Sequence, residues 1–160
     1  MKRITVLLAD DNRVVRREFR RILELEDDLE VVGEAKNGLQ AVALVKRLHP
    51  SVVLMDIAMP LLNGLNATRQ ILNAAPSTKV LMLSAHTEDA YVEAATNSGA
   101  MGYLVKQTAA DGVCSAIRGV QKGNTFFSPP IPIRLHKRSR VKADGLRRIA
   151  DAASERPTFL

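Results

Sequence analysis

The sequence predicts an α/β fold: a (βα)5, doubly wound parallel sheet of five strands with helices on both faces. Three observations lead there. Short β-branched or apolar runs recur at 4–9, 30–34, 52–55, 79–84 and 101–105. Each is followed by a stretch with helical spacing. The connections are long enough for a crossover helix, which parallel neighbours need and hairpins do not.

Taken in order, the first run, Ile4 to Ala9, stops at Asp10-Asp11. Its centre, Val6-Leu7-Leu8, and the third run, Val52-Val53-Leu54-Met55, are apolar throughout, as strands covered on both faces should be. Val14, Val15, Phe19, Ile22 and Leu23 trace one apolar helix face, and Ala41, Leu44, Val45 and Leu48 another. Asn12 and Asn37 stand where N-caps belong, and Pro50 and Pro76 follow helical patterns. The chain must turn at Asn63-Gly64, after Pro60 and before a new helical pattern from Leu65. A last helix is expected from Ala109 to Gln121, with Thr108 as cap, Val113, Ile117 and Val120 on one face and Gly123 closing it.

Composition narrows the class. With 160 residues, 46% apolar and 25% charged, the chain suits one compact domain with an appendage, not a disordered polypeptide. A core of this size buries roughly two-thirds of the unfolded surface and needs no disulfide, which the single Cys114 would not allow anyway. No apolar run reaches the ~18–20 residues of a membrane span, and Lys2-Arg3 open no signal peptide, so a soluble cytoplasmic protein without membrane partners is expected. The net charge of +6 is uneven, with +1 on residues 1–128 and +5 on residues 129–160. A basic tail of this kind is either a solvated segment or a contact for polyanions.

Parallel α/β sheets place ligand chemistry outside the carboxyl ends of their strands. Those ends carry Asp10 and Asp11, Asp56, Ser84 and Lys106. Three carboxylates in one crevice repel one another and have raised pKa values unless a cation intervenes. Mg2+, a hard ion that takes oxygen ligands, is the natural neutraliser. Lys106 adds a fixed positive charge and Ser84 a hydroxyl, which together describe a phosphoryl-transfer site. Each residue also has a plainer reading. Asp10 or Asp11 alone would cap a helix, Lys106 would be a solvated lysine, and Tyr103 a core aromatic. His49, His86 and His136 show no metal-ligand spacing with one another or with Cys114, itself read as a small core residue.

The segments Leu7-Leu8-Ala9-Asp10-Asp11, Val53-Leu54-Met55-Asp56-Ile57-Ala58-Met59-Pro60, Asn63-Gly64, Leu83-Ser84-Ala85 and Gly102-Tyr103-Leu104-Val105-Lys106 resemble the receiver domain of two-component response regulators. The resemblance covers residues 1 to about 128 and is greatest to the NarL/FixJ (LuxR-type) group. It implies a flavodoxin-like (CheY-like) fold and a phosphorylation-activated switch. Asp56 would accept a phosphoryl group from a sensor histidine kinase. Asp11, Asp56 and the backbone carbonyl of Ala58 would bind Mg2+ directly, with Asp10 acting through water. Lys106 would meet the phosphoryl oxygens, while Ser84 swings toward them and Tyr103 moves inward behind it. Such a domain is no enzyme beyond supporting its own phosphotransfer and dephosphorylation. Two departures stand out: Gln107 follows Lys106 where proline is common, and Ala58 has no polar side chain, which bears on how long the phosphoryl group survives.

The expected division is a receiver at 1–123 and a Pro-containing linker with basic tail at 124–160. Phe126-Phe127-Ser128-Pro129 resembles the junction to a helix-turn-helix domain in the NarL/FixJ group, but no helix-turn-helix pattern is legible downstream. Two readings stay open. In one, the output is a protein partner such as a second copy of the chain. In the other, the chain is part of a DNA-binding transcription regulator whose output region is missing or altered, and DNA is met only through that region or the basic tail.

Overall fold

The computed structural model describes residues 2–128. Eleven elements follow in order: β1 (Ile4–Ala9), α1 (Arg13–Glu24), β2 (Leu29–Ala35), α2 (Gly38–Leu48), β3 (Val52–Asp56), α3 (Gly64–Ala74), β4 (Lys79–Ser84), α4 (Asp89–Asn97), β5 (Gly102–Val105), α5 (Ala109–Gln121) and β6 (Phe126–Phe127). The strands form one sheet in the order β2-β1-β3-β4-β5-β6, and every neighbouring pair is parallel. The order reverses between β1 and β3, so the crevice of a doubly wound sheet lies where those two strands end.

Side chains alternate across the buried strands. Leu7, Val53, Met55 and Met82 enter one core with Ala41 and Val45 of α2, Leu65 and Ile71 of α3, and Val92 of α4. Val6, Leu8, Leu54, Leu81 and Leu83 enter the other, with Phe19 and Leu23 of α1 and Val113, Ile117 and Val120 of α5. Two-sided coverage explains why these strands read as continuous apolar runs.

Several expectations are corrected here. The sheet has six strands, not five, because Phe126–Phe127 adds to the β5 edge opposite Gly102 and Tyr103. Hydrogen bonding to the sheet continues past Gly123 as far as Ser128, the last described residue, whose N–H donates to the Tyr103 carbonyl at 2.9 Å. The tail beyond lies outside the described residues. Val14 is 68% exposed and not on the core face of α1. At 3.6 residues per turn it sits about 140° around the helix from Phe19. Thr108 precedes α5 but makes no side-chain capping bond. By contrast, Asn12 accepts from the Val14 and Val15 amides, and Asn37 from the Gln40 amide.

Candidate functional site

β1 hands its chain to the site through a short connection. The Asp10 amide still donates to the Ala35 carbonyl of β2 at 3.0 Å, and then the strand ends. The Asp10 carboxylate turns back on itself, with Oδ1 accepting from the Asn12 amide at 2.8 Å. Asn12, not either aspartate, caps α1. Asp10 is thus buried, whereas Asp11 faces solvent.

Asp56 is the last residue of β3, the strand beside β1, and is 5% exposed. Its position depends on how the chain leaves it. The Gly64 amide donates back to the Ile57 carbonyl at 2.8 Å, and a Cβ at Gly64 would collide with the Asp56 carbonyl oxygen. Only glycine lets α3 start that close to the site. Asn63 caps the same helix by accepting from the Asn66 amide at 2.9 Å. Ala58 lies half-buried in the loop between.

The structure brings Asp10, Asp11 and Asp56 together, with one carboxylate oxygen of each within 4.8 Å of the others. Among the described residues this is the group of acidic, histidine or cysteine side chains placed to hold a metal ion. Lys106, just beyond β5, reaches in to lie 3.0 Å from Asp10 Oδ2 and 3.4 Å from Asp56 Oδ1. Its amide donates to the Ser84 carbonyl at 2.8 Å, which ties the ends of β4 and β5 together.

The electrostatics follow from burial and crowding. Burial, with the like charge of Asp10, pushes the Asp56 carboxyl up to about 7; Lys106 opposes this and Asp11 adds to it. Burial pulls the Lys106 ammonium down, but Asp56 and Asp10 outweigh it and the net shift is upward. A buried carboxyl near neutrality beside two more carboxylates has the donor chemistry that a hard divalent cation fits.

Ser84 and Tyr103 occupy the β4–β5 side. The Ser84 hydroxyl accepts from the His86 amide at 3.1 Å, and the Tyr103 hydroxyl donates to the His86 carbonyl at 2.7 Å. Burial raises the Tyr103 phenol well above its ordinary range. Tyr103 is already wholly inside in this state, whereas the resemblance implied a ring that moves inward. His86, which shows no metal-ligand spacing in the sequence, is half-buried and stacked on Tyr91, with centroids 4.2 Å apart and planes 6° from parallel. Its backbone role carries no sequence signal. Arg16 was also missed: it looks like one more solvated arginine on α1, yet its side chain is 14% exposed.

Residues 6–118 match the family described as the response regulator receiver domain. The transcriptional regulatory protein DegU of Brevibacillus brevis is 38% identical over 138 residues, covering 86% of this chain but only 58% of DegU. The chain therefore spans little more than half of that relative. Among solved structures, a LuxR-family two-component response regulator from Aurantimonas superposes with a TM-score of 0.79 at 28% identity, covering 86% of this chain and 98% of that one. The receiver domain of a NarL response regulator from Mycobacterium tuberculosis gives 0.75 at 33% identity, over 78% and 100%. Carboxylates gathered at the switch point, the doubly wound sheet that gathers them and these matches point one way: the chain belongs to the response regulator receiver family and is the receiver domain of a two-component response regulator.

Proposed function

We propose that Asp56 is the phosphoacceptor of this receiver, and that a sensor histidine kinase in the cytoplasm supplies the phosphoryl group. The observation that carries the reading is Asp56 Oδ1 lying 3.4 Å from the Lys106 ammonium, inside a ring completed by Asp10 and Asp11. An Asp56 oxygen forms the new O–P bond as the N–P bond of the phosphoimidazole breaks and the imidazole leaves with the electron pair. Lys106 then has phosphoryl oxygens to meet in place of one carboxylate oxygen. Asp11, Asp56 and the Ala58 carbonyl would hold Mg2+, with Asp10 behind them through water. When bound, the ion neutralises charge on the transferring group. Ser84 donates its hydroxyl to the phosphoryl group, releasing the His86 amide that it now accepts from. Hydrolysis of its own aspartyl phosphate resets the protein, and no other substrate is turned over.

Intact mass after incubation with a small phosphodonor and Mg2+ tests this. One phosphoryl group should be gained, and none by Asp56→Asn. An equal gain in that variant rejects the assignment.

DegU's description as a transcriptional regulatory protein favours a second reading, in which this receiver is part of a transcription regulator and governs a DNA-binding output region. DNA affinity that falls steeply with salt would support it; none at low salt would count against it.

A further inference from the structure

We propose that Arg16 is a positioning residue for the acidic cluster, holding the Asp10–Asp11 peptide so that its two carboxylates face Asp56. The inference rests on the phosphoacceptor reading above.

β1 pairs with β2 through Ala9 opposite Ala35, and the ladder ends with the Asp10 amide on the Ala35 carbonyl. The Asp10 carbonyl comes next, past the last strand pairing. Arg16, from the second turn of α1, supplies its donor: Nη1 lies 2.7 Å from that oxygen. The same guanidinium donates through Nε to Glu34 Oε1 at 2.9 Å, near the end of β2. One planar group thus joins α1, the end of β1 and the end of β2, and a fork of fixed geometry is suited to that task.

The bonded carbonyl belongs to the peptide linking Asp10 to Asp11. Rotation of that peptide would swing both side chains relative to β3, so a bond to its oxygen fixes two of the three carboxylates at once. The effect is positional, not electrostatic. Glu34 balances the charge of Arg16 and also faces Arg20 at 3.5 Å. Groups behind metal ligands typically change metal affinity about 10–100-fold when removed.

Calorimetric titration of the full chain with Mg2+ alone, without a phosphodonor, is the test. Arg16→Ala should weaken Mg2+ binding about tenfold. The Mg2+ concentration giving half-maximal phosphorylation should rise in step, while the rate at saturating Mg2+ falls by less than about twofold. Arg20→Ala is the control, because it removes a positive charge beside the same Glu34 without touching Asp10. Mg2+ affinity unchanged in Arg16→Ala, or weakened equally in Arg20→Ala, would overturn the proposal. Should Arg16→Ala lose its cooperative thermal transition, Arg16→Met decides: it keeps an unbranched stem but has no N–H to donate to the Asp10 carbonyl, so its affinity must fall below that of Arg20→Ala, and wild-type affinity rejects the role. A wild-type chain that gains no phosphoryl group refutes the phosphoacceptor reading instead, and the two failures are distinct.

Discussion

The Tyr103 hydroxyl donates to the main-chain carbonyl of His86 across 2.7 Å, from a ring with no solvent exposure. A single phenol therefore anchors the connection between β4 and α4 from beneath. Tyr103→Phe keeps the ring and leaves that carbonyl without its donor, which should cost about 1 kcal/mol of stability. Hydrogen exchange at residues 85–88 should quicken, with phosphorylation by a small donor retained. Unchanged exchange there would mean that the bond does not hold the loop.

Asp56 makes metal-free stability depend on pH. Its carboxyl is raised from 3.8 to about 7, so the folded state binds the proton more tightly than the unfolded chain does. The stabilisation is full below pH 3.8, declines as pH rises toward 7 and is gone above it. Asp56→Asn removes that decline. In chelator at about pH 8 it should be more stable than wild type by on the order of 2 kcal/mol, less than the full shift implies because Lys106 loses a partner. Urea unfolding at about pH 5 and about pH 8 measures the difference, and parallel profiles for the two proteins would contradict it.

Lys106 restrains that same carboxyl. In Lys106→Ala the Asp56 carboxyl should titrate higher than in wild type without metal, because the opposing charge is gone while burial and Asp10 remain. Mg2+ binding should persist, since carboxylates hold the ion, but phosphorylation should no longer shift the conformation around Ser84 and Tyr103. Carboxyl carbon resonances followed against pH report the first effect. A spectrum that responds fully to phosphorylation would deny Lys106 its role.

Leu61 occupies left-handed backbone at φ 69 while 76% exposed. A branched side chain is strained there and little packing repays it. Leu61→Asn, which tolerates that conformation, should stabilise the protein by about 1 kcal/mol, or about 4 °C in Tm. A lower Tm would show that the leucine makes contacts that matter.

How far the sequence was legible depends on what each residue does. Strands covered on both faces write themselves as apolar runs, so β1 and β4 coincide with the predicted segments and β2 extends one residue beyond each end. The strand-end acids were legible because parallel topology collects strand ends wherever the side chains come from. Phe126–Phe127 is too short to show a period. Val14 was misassigned because its apolar character was weighed without its angle around α1. Arg16 acts through the Asp10 carbonyl and His86 through its own amide and carbonyl, and contacts made to backbone atoms leave no pattern in residue type.

Ser128 closes the sheet edge with two bonds, its amide on the Tyr103 carbonyl and its hydroxyl under the Val105 amide. Mechanically this edge is a zipper that can be loaded from residue 128. Tension drawn outward along the chain at that point would load these bonds one after another, beginning with Ser128, and not all together in shear. Each contributes only about 1 kcal/mol, so β6 can peel while the five strands behind it stay intact. The first bond to part is fastened to the strand that carries Tyr103. A small displacement of that strand and a small pull at residue 128 are therefore the same event seen from opposite ends.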